Sequence, residues 1–124
     1  MLHDIFGEIT FSVGWKAKKS INLFGKDYDI NLKIQAYFEE DGITKEQENA
    51  YIELCKVENE KLQRVEKLLV AYSNSAETQF IPRTLLINRD GSYALLFDDN
   101  DDHDEGIAVC LSPEEVVMSQ DDYL

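Results

Sequence analysis

One stretch of alternating residues constrains the fold of this chain more than any other feature. Every second position of the range 28–38 is apolar, and the positions between them are polar up to residue 35. The apolar residues are Tyr28, Ile30, Leu32, Ile34, Ala36 and Phe38. A period of two is typical of a β-strand with one buried face. Strands with one wet face belong mainly to antiparallel sheets, so the pattern predicts such a sheet.

Two shorter β-patterns come before this strand. In the segment GEITFSVGW, apolar residues alternate from Ile9 through Val13 to Trp15, which predicts a first strand. A basic stretch, KAKKS, then leads to a second apolar pair that ends at Leu23. Gly25 follows at the first central position of a two-residue turn, which predicts a type II′ turn into the third strand.

A long amphipathic helix is predicted over residues 45–72. Thr44 and Gln47 have the T-x-x-Q spacing of a capping box, and apolar residues recur at helical intervals through the range. Glu58 interrupts the apolar stripe, so a break near residues 57–60 remains an alternative to one continuous helix. We expect this helix to lie across the sheet.

The last third of the chain again has β-patterns. Two apolar runs flank an Asp-Gly dipeptide at 90–91, a strong hairpin signal, and a third run at 106–111 should pair back across an acidic stretch. Ser112 and Pro113 fit either the start of a short helix or an edge strand. The predicted fold is α+β in the order β-β-β-α-β-β-β. It is a single domain, 1–124, whose largely antiparallel sheet of about six strands has one long helix packed on one face.

The charge is concentrated towards the C-terminal end. The sequence holds 12 Lys and Arg against 25 Asp and Glu, a formal net charge of −13. All the basic residues lie in residues 1–89, whereas residues 90–124 hold 11 of the acids. A field of this sign repels nucleic acid and anionic membranes and attracts basic proteins or cations. We therefore expect no binding to nucleic acid or to membranes.

The remaining composition favours a cytoplasmic protein. No stretch approaches the roughly 20 apolar residues that span a bilayer, and the N-terminal sequence MLHDIFGEITF has neither the basic nor the apolar region of a signal peptide. Cys55 and Cys110 form no CxxC pair and lie in apolar patterns. We expect both cysteines to be reduced and buried.

The stretch FDDNDDHDEG at 97–106 is the strongest local charge feature. It fails as an EF-hand loop, because His103 stands where the turn requires Gly and Val109 stands where a bidentate Glu is needed. His103 also lacks the further nitrogen or sulfur ligands of a transition-metal site. Three interpretations remain: a surface that binds a basic protein, a looser calcium site made of carboxylates, and a solvated loop with no ligand.

Nothing in the sequence nominates a catalytic site or a cofactor. The chain has no GxSxG or related nucleophile motif, and its six glycines are scattered among turns instead of forming a phosphate loop. We therefore predict no catalytic residues, no metal and no cofactor. The candidate site is an anionic, partner-binding surface of eight acids: Asp98, Asp99, Asp101, Asp102, Asp104, Glu105, Asp121 and Asp122.

Two segments, LFGKDYDINLKIQAYFEEDGIT and DGSYALLFDDNDDHDEGIAVCL, resemble a family of small uncharacterised acidic bacterial domains. The resemblance covers about residues 14–124. It includes an N-terminal meander, a helix that opens at a T…Q start, and a hairpin that runs from DG-x-ALL into an acidic loop closed by E-G-[IL]-A-V. That family's acidic loop carries a Trp and an E-H-G ending; here the loop has no Trp, and His103 precedes DEG.

Domains similar to this family recur near polymorphic toxins, where small acidic cytosolic proteins act as immunity proteins. The resemblance therefore implies a non-catalytic immunity protein that occludes a basic bacterial toxin. This agrees with the charge distribution, and it makes a basic protein the expected partner.

Overall fold

The computed structural model describes residues 2–124, and of His103 it describes the backbone alone. Its strands are β1 Leu2–His3, β2 Gly7–Glu8, β3 Thr10–Phe11, β4 Trp15–Leu23, β5 Lys26–Ile34, β6 Phe80–Ile87, β7 Tyr93–Asp99, β8 Asp102–Ser112 and β9 Val116–Ser119. Its α-helices are α1 Lys45–Lys56, α2 Glu58–Tyr72, α3 Ala76–Gln79 and α4 Gln120–Tyr123, and a single 3₁₀ turn spans Glu39–Asp41.

The strands β3 to β9 form one seven-stranded sheet in sequence order, and β1 pairs with β2 in a small separate sheet. Every neighbouring pair in the large sheet is antiparallel except β5 and β6. Those two strands are parallel because α1, α2 and α3 connect them and return the chain to the same end of the sheet. The predicted α+β class is confirmed, with a mixed sheet that has more strands than expected.

The predicted first strand is wrong in its extent. The chain turns back between β3 and β4, where Phe11 pairs with Trp15, and Val13 lies in the turn with 77% of its surface exposed. Val13 has a φ of 53° and Gly14 a φ of 103°. A turn this tight needs positive φ, which Gly14 adopts without a steric penalty. The KAKKS stretch is part of β4, with its lysines 16 and 18 on the wet face.

The turn between β4 and β5 is also of a different type from the one predicted. Phe24 and Gly25 both have positive φ, 54° and 76°, which defines a type I′ turn instead of type II′. Glu66 of α2 accepts a hydrogen bond from the backbone N–H of Phe24 at 2.7 Å. This bond stabilises a left-handed conformation that a non-glycine residue rarely adopts.

The capping box at the start of α1 is confirmed. The Thr44 hydroxyl accepts from the Gln47 N–H at 3.1 Å, and the Gln47 carboxamide oxygen accepts from the Thr44 N–H at 2.9 Å. Gln47 is fully buried, and its Nε2 donates to the carbonyls of Gln35 at 2.8 Å and Ile87 at 3.2 Å. The capping residue therefore also fastens α1 to the ends of β5 and β6.

The expectation of one continuous helix is wrong, and the alternative of a break is confirmed. Val57 separates α1 from α2 with φ −124° and ψ 25°, which lie outside the helical region. The helical segment crosses the sheet as expected, because α2 contacts β4 near one end and β8 and β9 at the other. Leu69 and Val65 of α2 are completely buried in this layer.

The opposite face of the sheet has a smaller apolar cluster. Small residues of β7 and β8, Ala94, Ala108 and Cys110, are buried there and pack with Met118 and Tyr123. The short helix α4 covers this part of the face, since it contacts β8 and β9. Residues 28–34 of the predicted third strand lie in β5 and Ala36 is buried beyond it, whereas Phe38 is exposed and outside the strand.

The segment after Pro113 forms the edge strand β9, and the alternative of a helix starting there is wrong. The chain then ends in α4, where Ser119 caps the helix by accepting from the Asp122 N–H at 3.1 Å. Cys110 is buried as expected, but Cys55 is exposed on α1. In the described range, residues 2–124, no helix combines the length and the apolarity that crossing a membrane requires.

Candidate protein-binding surface

The acidic stretch forms the tip of a β-hairpin, with its charges carried by the ends of two paired strands. Asp99 of β7 pairs with Asp102 of β8 across a turn at Asn100 and Asp101. The turn is anchored to α3, because the Asn100 N–H donates to the Gln79 carbonyl at 2.8 Å and its side-chain amide donates to the Thr78 carbonyl at 3.0 Å. The hairpin therefore presents its charges from a fixed backbone.

Three of the predicted acids are engaged in local bonds. Asp98 forms an ion pair with Arg83, whose Nε lies 2.7 Å from its carboxylate. Asp99 accepts hydrogen bonds from the Gln79 side chain at 3.1 Å and from the Asp101 N–H at 2.9 Å. Asp102 accepts from the Asp104 N–H at 3.2 Å. These carboxylates shape the hairpin tip, and Arg83 partly neutralises its charge.

The other hairpin acids, Asp101, Asp104 and Glu105, are exposed. Their carboxylates have no hydrogen-bond or ion-pair partner among the side chains that the structure describes. Asp104 and Glu105 line a pocket of about 370 Å³, which we call the acidic pocket. Its lining residues are Arg83, Asp98, Asp99, Asn100, Asp104, Glu105, Gly106 and Gln120.

The described side chains of the acidic pocket are not arranged as a tight metal site. Within the described part of the chain, no group of three or more His, Cys, Asp or Glu side chains is placed to hold a metal ion. The predicted acids therefore share a surface without converging on one point. The side chain of His103 lies outside the described residues, so the argument against a transition-metal site at this histidine stays a prediction from the sequence.

Gln120 is a site residue that the sequence reasoning missed. Its Nε2 donates to the Phe97 carbonyl at 2.8 Å, which docks the start of α4 against the base of the hairpin. This approach requires glycine at position 106, because a Cβ there would lie 2.6 Å from the Phe97 carbonyl oxygen and would also collide with Gln120. The glycine of the E-G-[IL]-A-V closure was the available signal for a close contact.

Asp121 and Asp122, the second predicted cluster, are exposed on α4 directly after Gln120. They do not line the acidic pocket, whose contribution from α4 is Gln120. Asp121 and Asp122 follow Gln120 within the single turn of α4, so these two acids lie beside the hairpin acids and not among them. The eight predicted acids are thus split between the hairpin tip and α4.

The other end of α4 borders a second pocket, of about 530 Å³, which we call the aromatic groove. Tyr123 is fixed here, because its hydroxyl oxygen accepts from the Asn88 side-chain amide at 3.0 Å, and burial raises the pKa of the Tyr123 hydroxyl. The lining residues are Gln35, Tyr37, Leu86, Asn88, Arg89, Asp90, Ser92, Tyr123 and Leu124.

One cation lies in the wall of the aromatic groove. Arg89 donates through its terminal nitrogens to the carbonyls of Gly42 at 2.7 Å, Asp41 at 3.3 Å and Gln35 at 3.4 Å. Its own backbone carbonyl accepts from the Thr44 hydroxyl at 2.8 Å. The guanidinium therefore joins the loop after β5 to the β6–β7 turn and fixes the wall of the groove.

Hydrogen bonds lower the pKa values of two carboxyl groups, those of Asp90 and Glu115. Hydrogen bonds from Ser92 lower the pKa of the Asp90 carboxyl, and the hydrogen bond from Arg64 lowers the pKa of the Glu115 carboxyl. Arg64 Nε lies 2.8 Å from the Glu115 carboxylate and joins α2 to the segment before β9. Both shifts have local structural causes and nominate no acid–base pair.

Comparison with known proteins identifies a family. Residues 5–122 match the family described as Domain of unknown function (DUF6985). The comparisons with curated proteins and with solved structures find no significant match. Since the match spans nearly the whole chain, from just before β2 through the acidic hairpin into α4, the chain belongs to the DUF6985 family.

Proposed function

We propose that the chain is a non-catalytic protein-binding domain that takes a basic protein on the surface formed by the acidic pocket and α4. The observation that carries this proposal is the state of the hairpin acids. Asp101, Asp104 and Glu105 are exposed carboxylates without partners among the described side chains, and they project from a hairpin anchored to α3.

Electrostatics favours a basic partner at this surface. Because the hairpin backbone that carries these acids is already anchored to α3, it loses little conformational entropy on binding, and less of the Coulomb attraction is offset. An anionic field also steers a cationic protein and raises association rates about 10- to 1000-fold at low salt. The lysines of β4, by contrast, lie near the other end of the seven-stranded sheet from β8 and β9.

An immunity protein is the specific biological role that we propose. The family resemblance described above implies it, and the mechanism requires only that the anionic surface covers a basic active site of a bacterial toxin. Such a role would be exercised in the cytoplasm and needs no catalytic residue. The proposed surface consists of the eight predicted acids, and the ion pair with Arg83 partly neutralises the charge of Asp98.

The test is a binding experiment with charge-matched variants. The triple variant Asp101→Asn/Asp104→Asn/Glu105→Gln removes three charges from the hairpin. A control, Glu46→Gln/Glu53→Gln/Glu60→Gln, removes three charges from exposed positions on α1 and α2. Proteins from the native organism that the wild type captures at low salt are identified, and the affinity of each purified partner is measured at several salt concentrations.

We expect a basic partner whose affinity falls with salt, and a weaker affinity with a shallower salt dependence for the hairpin variant only. If both triple variants weaken binding equally, net charge alone explains it, and if neither weakens it, charge has no role; in both cases this surface is not the interface. A calcium titration of the free protein serves as a further control. Heat or a thermal shift on adding calcium would instead support a cation-binding domain.

A further inference from the structure

We propose that the aromatic groove binds an apolar side chain of the same basic partner, so that the partner's recognition segment carries an apolar residue flanked by basic ones. This inference rests on the proposed function, and it adds a second contact of a different kind. The acidic pocket supplies charge, whereas the groove supplies apolar burial and thereby specificity for the partner's sequence.

The two sites form one continuous surface through α4. Gln120 at the start of the helix lines the acidic pocket, and Tyr123 and Leu124 at its end line the aromatic groove. A four-residue helix is only about 6 Å long at 1.5 Å per residue. Asp121 and Asp122 lie between the two sites, so a partner that spans α4 meets charge and apolar surface together.

The groove has the exposed apolar side chains that mark an interaction site. Tyr37 is 76% exposed and Leu124 is 72% exposed, and both line the groove. Phe38, the next residue after Tyr37, is 63% exposed. Adjacent exposed large side chains mark interaction surfaces, and tyrosine in particular is enriched among the residues that dominate binding energies.

The charges around the groove select a basic occupant. The three segments that border it, residues 35–41, 86–92 and 120–124, carry six carboxylates, of which Asp90 lines the groove itself. The one basic side chain in these segments is Arg89, whose guanidinium is bonded to three backbone carbonyls. The six acids are Glu39, Glu40, Asp41, Asp90, Asp121 and Asp122. A second copy of this chain would bring its own net charge of −13 to this surface, so repulsion disfavours it.

The groove is held in shape before any partner arrives. Asn88 donates to the Ser92 hydroxyl at 3.1 Å as well as to Tyr123, which joins the β6–β7 turn to α4. Arg89 fixes the opposite wall through the carbonyls near Tyr37. A preorganised pocket avoids the entropic cost of ordering on binding, so even one inserted side chain should raise affinity.

The experiment uses two fluorescein-labelled hexapeptides of equal charge, RKLWKR and RKGSKR, and measures their binding by fluorescence anisotropy at low salt. The groove variant is Tyr37→Ser/Leu124→Ser. A matched control, Ile52→Ser/Val70→Ser, removes two other exposed apolar side chains, which lie on α1 and α2 and do not line the groove. The hairpin triple variant described above tests the charge contribution separately.

We expect the wild type and the control to bind RKLWKR at least about tenfold tighter than RKGSKR, because burying one large apolar side chain has roughly this effect. The groove variant should lose the preference and still bind RKGSKR as the wild type does. The hairpin variant should weaken both peptides by a similar factor.

Two results would overturn the inference and leave the proposed function standing. One is equal affinity of the wild type for both peptides. The other is a dimer of the peptide-free wild type, seen by analytical ultracentrifugation, that the groove variant abolishes, because the groove would then belong to a second copy. Failure of both peptides to bind at all would reject the inference, whereas the proposed function is decided separately by the capture experiment with the hairpin triple variant.

Discussion

The buried side-chain amide of Gln47 should stabilise the protein mainly through its hydrogen bonds to the carbonyls of Gln35 and Ile87, outside α1. Substitution by glutamate removes these donors and keeps the capping box, so it distinguishes the two contributions. The Gln47 side chain accepts one hydrogen bond, from the Thr44 N–H, and donates two, to the carbonyls of Gln35 and Ile87. Glutamate is a normal capping-box residue and retains the acceptor. It has no donor when ionised, and its carboxylate would face two carbonyl oxygens in a fully buried position.

The expected loss of stability follows from the hydrogen-bonding groups that each substitution leaves without a partner. In Gln47→Ala the Thr44 N–H loses its acceptor, and the Gln35 carbonyl retains only a 3.4 Å bond from Arg89. The Ile87 carbonyl is less affected, since it still accepts from the Gln35 N–H at 2.9 Å. Each poorly satisfied buried group costs about 1–3 kcal/mol, so we expect a loss of about 2–4 kcal/mol in the free energy of unfolding.

Gln47→Glu should lose at least as much, although it preserves the cap. The measurement is urea unfolding at neutral pH, analysed by linear extrapolation, with Gln63→Glu as the control because residue 63 is an exposed glutamine on α2. The control should stay within about 0.5 kcal/mol of the wild type. If Gln47→Glu also stays within about 1 kcal/mol, the capping box carries the effect and the reasoning about the two carbonyls is wrong.

Two further predictions concern α4 and the segment before β9. Gly106→Ala should destabilise the protein by about 1–3 kcal/mol, because the added methyl group overpacks against the Phe97 carbonyl and Gln120. It should also weaken the binding of RKLWKR, because α4 carries part of the groove. Unchanged thermal unfolding and unchanged peptide affinity would contradict this prediction. Because the hydrogen bond from Arg64 lowers the pKa of Glu115 below its ordinary value of 4.5, the stability from this pair is present above that value and is lost as pH falls through the folded-state pKa. Glu115→Gln should therefore be less stable than the wild type at neutral pH and should lose less stability on acidification. The measurement is urea unfolding of both proteins from pH 7 to pH 3. Parallel profiles of stability against pH for the two proteins would refute this prediction.

Several elements could be predicted because their signals are local. The capping box at Thr44 and Gln47 depends on residues three apart, and the hairpin around Gly91 depends on a dipeptide between two apolar runs. The alternation in β5 follows from the period of a strand with one buried face, and it holds until the chain leaves the sheet before Phe38. In each case the physical cause acts within a few residues of the pattern.

Other elements could not be predicted because distant residues decided them. The alternation around Val13 looks like a strand, but the chain turns there so that Trp15 can pair with both Phe11 and Ile34. The left-handed conformation of Phe24 depends on Glu66, which belongs to α2. Neither interaction has a signature in the neighbouring sequence.

The proposed binding surface also has features that the sequence predicts and features that depend on the tertiary structure. The sequence by itself determined that the C-terminal end is strongly anionic and that the acidic stretch joins two strands, because charge and hairpin patterning are properties of contiguous residues. Only the tertiary structure decided that α4 lies between the acidic hairpin and Tyr37. The parallel pairing of β5 with β6 places Tyr37 beside the β6–β7 turn, and the bonds of Gln120 and Tyr123 seat α4 there, so contacts between segments far apart in the chain create the groove.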